Sequence, residues 1–226
     1  MLLEQVAREV AKCEKCGLHF SRKLAVPGDG PADALVMFIG EGPGFYENEQ
    51  GKPFVGPAGH FLDELLLKAG LKREKVFIGN VVKCRPPGNR DPQPDELAAC
   101  KPYLETQIAA INPQVIVTLG RFSMGYFILN GKISAIHGRP VWVGSRLIVP
   151  MYHPAAALHQ PALKDSILAD FASLPRFIEL ARSRGTEQIG EPAGSSKEAK
   201  AETSSAPDLA KPAVQEEESP QQLSLF

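Results

Sequence analysis

The residues of this chain whose types and spacing could do chemistry begin with its four cysteines. Cys13 and Cys16 form a C-x2-C pair, and Cys84 and Cys100 follow much later with 15 residues between them. A C-x2-C pair sets two thiolates on one tight turn, and a distant pair can complete four-coordination around a single metal centre. Four thiolates suit zinc or an iron-sulfur cluster equally, and spacing does not choose between them. The competing reading is buried structural thiols, because free cysteine is among the most buried residue types.

A second constellation carries no metal signature. GEGPG, Gly40 to Gly44, follows an apolar run, and its glycines would let backbone amides approach a ligand. His153 is followed by Pro154, which biases it to an extended conformation at the end of another apolar run. Asn80 interrupts VFIGNVV, where an amide is costly unless hydrogen-bonded; its donor and acceptor match one edge of a pyrimidine. Phe54, in GKPFVGPAG, is either core or a platform for a planar ligand. Together these describe a pocket for a heterocyclic base. Lys83, Arg85 and Arg90 form a basic stretch that reads as phosphate contacts or as a solvated loop.

Elements that could position these groups are legible in the hydrophobic pattern. Continuous apolar runs at 34–40, 76–82, 114–120 and 146–152 read as four buried parallel strands. Helical patterns at 2–12, 58–69, 94–111, 121–130 and 162–181 alternate with them, and VWVG adds a hairpin-like piece. The expectation is an α/β domain over residues 1–182, with a central, mainly parallel four-stranded sheet covered on both faces. Its ligand crevice would lie beyond the carboxyl ends of the strands.

From Ala181 onward the chain is rich in Ala, Ser, Glu, Lys and Pro, and a disordered tail is expected over 183–226. Without that tail the body has 20 Lys/Arg against 18 Asp/Glu, too even to announce nucleic-acid binding by charge alone. The N-terminus lacks the apolar core of a signal peptide, and no apolar run is long enough to span a membrane. A cytoplasmic, monomeric protein with reduced thiols is therefore expected, which favours metal over disulfides.

GEGPG with Glu47 after it, GKPFVGPAG, NVVKCRPPGNRDP, YHPAAAL and the C-x2-C…C-x15-C pattern together resemble the iron-sulfur uracil-DNA glycosylases called family 4. The resemblance covers residues 2–180. It implies the three-layer αβα fold of the uracil-DNA glycosylase superfamily and a [4Fe-4S] cluster on Cys13, Cys16, Cys84 and Cys100. It further implies that uracil in single- or double-stranded DNA is excised to leave an abasic site. By the same resemblance Gly40, Glu41, Gly42 and Pro43 line the uracil pocket, Phe54 stacks on the base and Asn80 bonds its edge. His153 would donate to the uracil oxygen that gains charge, with Glu41 and Glu47 as further catalytic candidates. Asn48 stands where an acid is expected, and Gly42 where better-known members of the superfamily carry a water-activating Asp.

The terminal residues Gln222, Leu223, Ser224, Leu225 and Phe226 resemble the short peptide by which bacterial proteins bind the replication sliding clamp. Two rival functions remain at this level. One is an irreversible uracil binder, for which the PPGNRDPQP loop lacks the expected histidine; the other is a non-catalytic iron-sulfur protein that binds nucleic acid.

Overall fold

The computed structural model describes residues 2–189, within a unit that spans Met1–Glu191. Most of the expected tail, including the peptide at 222–226, lies outside the described residues. Helix α1 (Leu2–Ala11) precedes β1 (Val36–Gly40), α2 (Phe45–Gln50), α3 (Pro57–Lys68) and β2 (Phe77–Asn80). Next come α4 (Pro94–Ile111), β3 (Val115–Leu119), α5 (Arg121–Phe127), α6 (Ile133–Ile136), β4 (Val141–Val143) and β5 (Arg146–Met151). Helices α7 (Pro154–His159), α8 (Lys164–Ala172) and α9 (Leu174–Ile189) complete the described chain.

The strands lie in the order β2-β1-β3-β5-β4, parallel except for the β4–β5 pair. Successive side chains alternate faces. Val36 and Phe38 accordingly join Leu62, Leu65, Phe171 and Ile178 on one side, while Met37 and Ile39 meet Leu104, Ile108 and Ile116 on the other. Helices on both faces explain why these runs are apolar throughout. A third cluster, Val6, Val10, Leu18, Val82 and Tyr103 with Cys84 and Cys100, joins α1 to α4.

The expected α/β architecture with a mainly parallel sheet is the one observed, with three corrections. VWV at 141–143 joins β5 as a short antiparallel edge strand, so the sheet has five strands, not four. The helix expected at 162–181 is divided at Ser173: Pro175 has no N–H to continue the preceding turn but suits the first turn of a new helix. That new helix, α9, runs to Ile189, so the boundary expected between 182 and 183 falls inside it.

Register sets the crevice. Gly40 pairs with Asn80 and Leu119 with Met151, so the residues that leave β1, β2, β3 and β5 all emerge at one edge. The chain passes from β1 to β2 on one side and then crosses to β3 on the other. This is the switch point at which open α/β sheets bind ligands.

Phe54 approaches this edge in the left-handed region, at φ 51°, which costs a non-glycine residue about 1–3 kcal/mol. It persists because its neighbours are tied. Arg73 donates to the Pro53 carbonyl at 2.7 Å, and the Phe54 carbonyl lies against α3, where a Cβ on Gly59 would meet it at 2.0 Å. The obstacle is backbone and cannot rotate away. We expect Gly59→Ala to destabilise the domain by about 1–3 kcal/mol, read as a lower midpoint in denaturant at unchanged slope.

Candidate active site

A cavity of about 440 Å³ opens at the carboxyl edge of the sheet, and Glu41 to Gly44 of the GEGPG turn, Phe54, Asn80 and His153 all line it. Gly40, expected from sequence to line the pocket, is not among its lining residues but lies directly behind two of them: a Cβ there would stand 2.5 Å from Asn80 Oδ1 and 2.7 Å from Phe54 Cζ. Only glycine lets the aromatic and the amide converge. Asn80 is buried at the end of β2, and its Oδ1 has no protein hydrogen-bond partner. A buried amide with an unpaired oxygen in a residue that lines a cavity is suited to pair with a ligand.

His153 caps α7. The Ala155 N–H donates to its Nδ1 at 3.1 Å, so the ring proton belongs on Nε2. Burial pulls the imidazole down to about 4, against an opposing pull from Glu47. The ring is therefore neutral in ordinary buffers, and it stands as an Nε2–H donor in the pocket wall. It also lies against Phe54, with centroids 5.5 Å apart and planes 28° from parallel.

Glu41 projects into the same cavity, its carboxyl raised above the usual range by burial and by Asp91, with Arg121 acting the other way. Gly42 and Pro43 complete this wall. A Cβ at Gly42 would meet Val82 Cγ2 at 2.8 Å, so there is little room for a carboxylate at that position.

Glu47 borders the cavity, but its carboxylate is fully engaged. Oε1 accepts from Val55 N–H at 2.8 Å and from Gly56 N–H at 2.9 Å, and Oε2 accepts from Gly44 N–H at 3.0 Å. These bonds fix the residues on the C-terminal side of Phe54 and the end of GEGPG relative to each other. The geometry ties these two segments together, and the residue expected from sequence as a catalytic candidate does so from the edge of the cavity. Asn48 points elsewhere: its side chain accepts from Lys23 N–H at 2.9 Å and organises a loop.

The basic stretch divides in a way the sequence did not reveal. Lys83 is 1% exposed and cannot reach a phosphate; it donates to Asn80 O and Gln107 Oε1, and burial lowers its ammonium to about 8. Arg90 is held by both oxygens of Glu96, at 2.9 and 2.6 Å. Arg85 lies over Phe45 and donates to Asn89 Oδ1, so of the three it is the one placed near the pocket mouth without a carboxylate partner. Pro86, Asn89, Ala58 and His159 also line the cavity. None of them carried a sequence signal, because loop proximity is invisible to periodicity.

The four cysteines surround a smaller site between α1, the exit of β2 and α4. They are free thiols, two of them buried. Arg22 donates to Cys84 Sγ at 3.3 Å and Lys83 N–H to Cys100 Sγ at 3.3 Å. Burial pushes the Cys100 thiol up to about 11, so a cation must displace protons to bind here. The donor set and these N–H···S contacts fit an anionic thiolate-bound centre.

The sheet order and the strand-edge pocket define a class of proteins, and the sequence profile of the uracil DNA glycosylase superfamily matches residues 27–172. Within that class the chain is 49% identical over 186 residues to the type-4 uracil-DNA glycosylase of Saccharolobus solfataricus, covering 78% of this chain and 86% of the relative. It is 44% identical over 183 residues to the type-4 enzyme of Thermotoga maritima, covering 79% and 95%. Similarity falls to 30% over 148 residues for a type-5 uracil-DNA glycosylase of Pyrobaculum aerophilum, covering 58% and 65%. The chain belongs to the type-4 uracil-DNA glycosylase family.

Glu47→Gln tests the positioning geometry. One of its two ends must then place an NH2 against backbone N–H donors. We expect a loss of about 1–3 kcal/mol in stability and slower single-turnover excision, with the pH profile of the rate unchanged.

Proposed function

We propose that this protein hydrolyses the N-glycosidic bond of uracil, the product of cytosine deamination, in single- and double-stranded DNA and leaves an abasic site. The observation that carries the reading is the neutral Nε2–H of His153, set by the Ala155 N–H, facing the same cavity as the Asn80 amide. Cleavage leaves negative charge on the departing uracil and positive charge on the sugar. A preorganised donor at the uracil oxygen stabilises that anion, which is typically worth several kcal/mol. Asn80 reads the base edge, Phe54 stacks on its face and Glu41 sits on the side where the sugar cation and attacking water arrive.

The base must first leave the duplex. Unpairing costs a few kcal/mol and is cheaper at a mismatch, so U·G pairs and single strands are the favoured substrates. Cys13, Cys16, Cys84 and Cys100 hold a [4Fe-4S] cluster, which supplies a structural brace. No helix among the described residues is long and apolar enough to cross a membrane.

Release of free uracil from a labelled oligonucleotide tests the activity directly; a covalent protein–DNA adduct or intact DNA would refute turnover. We expect His153→Ala to slow single-turnover excision about a hundredfold or more and Glu41→Gln about tenfold. The reverse order would exchange their roles. With a pKa near 4, His153 stays neutral between about pH 5 and 8, so it contributes no limb there. Glu41 is raised, so the rate should fall as acid protonates it, and Glu41→Gln should remove that limb.

The peptide Gln222-Leu223-Ser224-Leu225-Phe226 is a tether to the replication sliding clamp. Its deletion should abolish clamp binding in a pull-down with purified clamp and leave excision of short oligonucleotides unchanged.

A further inference from the structure

Lys83 is among the largest fully buried side chains, and its side-chain acceptors are two neutral oxygens: Asn80 O at 2.9 Å and Gln107 Oε1 at 2.7 Å. Lysine is almost never fully buried unless paired, and an apolar side chain of similar volume is often at least as stabilising at such a site. Stability alone therefore does not account for an ammonium here. What the ammonium holds is informative. The side chain folds back beneath β2, with Nζ 3.8 Å from where a Cβ on Gly79 would sit, and grips the carbonyl of the residue whose amide faces the pocket. Its far anchor is itself fixed, because Gln107 Nε2 donates to Pro27 O at 2.6 Å. The Lys83 main chain is held as well, with its carbonyl accepting from Val26 N–H at 2.7 Å and its N–H on Cys100 Sγ.

We propose that Lys83 is a positioning residue for base recognition: it locks the Asn80 backbone and thereby sets where the Asn80 amide meets the base. The inference rests on the uracil-excision reading above. It also gives α4 a second task, since Gln107 lies on the same buried face as Cys100, Tyr103 and Leu104.

The test is a double-mutant cycle on the full chain carrying its metal centre, with single-turnover release of uracil from a single-stranded oligonucleotide. Iron content and visible absorbance are measured on every variant. Lys83→Met is expected to keep the metal centre and lose about ten- to a hundredfold in rate, with little further loss when combined with Asn80→Ala. It should also narrow the discrimination between uracil and N3-methyluracil, whose altered edge Asn80 would read. Independent, multiplying losses would overturn the proposal, as would an unchanged rate or unchanged discrimination. Should Lys83→Met lose its metal or fail to fold, Gln107→Leu unties the far end of the lysine and is put through the same cycle, where multiplying losses again overturn the proposal. Absence of uracil release by the unmodified protein would instead refute the activity itself, so the two failures are distinct.

Discussion

The pocket depends on one carboxylate. Glu47 gathers three backbone N–H groups from two segments that flank its own helix: the end of the GEGPG turn and the pair of residues after Phe54. Charge-assisted bonds of this kind are roughly twice as strong as neutral ones. Here they sit where they offset a strained backbone, since Phe54 holds a left-handed conformation immediately before those donors. The aromatic wall and the glycine turn are therefore not two loops that happen to meet. They are one unit, closed by a side chain that the short helix α2 carries into place.

Beside that unit stands the neutral His153, the donor that the proposed reaction gives to the departing anion. A protonated histidine would require both ring nitrogens to donate, and the Ala155 N–H aimed at Nδ1 forbids it. A neutral donor still lowers the energy of a uracil anion, and it does so without having to give up its proton. The carboxylate that lines the cavity from the glycine turn is at Glu41, and Gly42 beside it is crowded by Val82. On the proposed reading, acid–base work and leaving-group stabilisation fall to different residues of one cavity, and burial raises the carboxyl of Glu41 while it lowers the imidazole of His153.

Much of the fold was legible because parallel strands buried on both faces must be continuously apolar, and four such runs are unmistakable. The edge strand at Val141–Val143 was less so, being short and half-exposed, with no period long enough to register. In the site, residue types pointed to Asn80, His153 and the glycine turn, since each is chemically out of place in an apolar strand or beside one. Lys83 was misread, and the backbone ties of Glu47 went unseen, for a common reason. Charge suggests solvent or catalysis when only sequence is in hand, whereas burial converts the same charge into a tie for backbone groups. Lys83 in VVKC did carry a cue, because a basic residue flanked by apolar ones straight after a strand has little surface available to it. Helix α2 and the conformation of Phe54 left no cue at all; the Glu47 bonds that flank both join residues the sequence does not mark.

The proposed cluster gains its meaning from the same logic of ties. Its four cysteines come from three parts of the chain: the turn after α1, the exit of β2 and the second turn of α4. Between Cys84 and Cys100 runs the loop that sends Pro86, Asn89 and Arg90 to the pocket. Such a loop has few apolar anchors of its own, and conformational entropy would disperse it. A thiolate-bound centre pins both of its ends, and Arg90 on Glu96 with Gln93 N–H on the same carboxylate secures its descent into α4. Lys83 then extends the brace inward to Asn80. A centre placed one residue from that lysine can matter to excision through position alone, with no electron transferred.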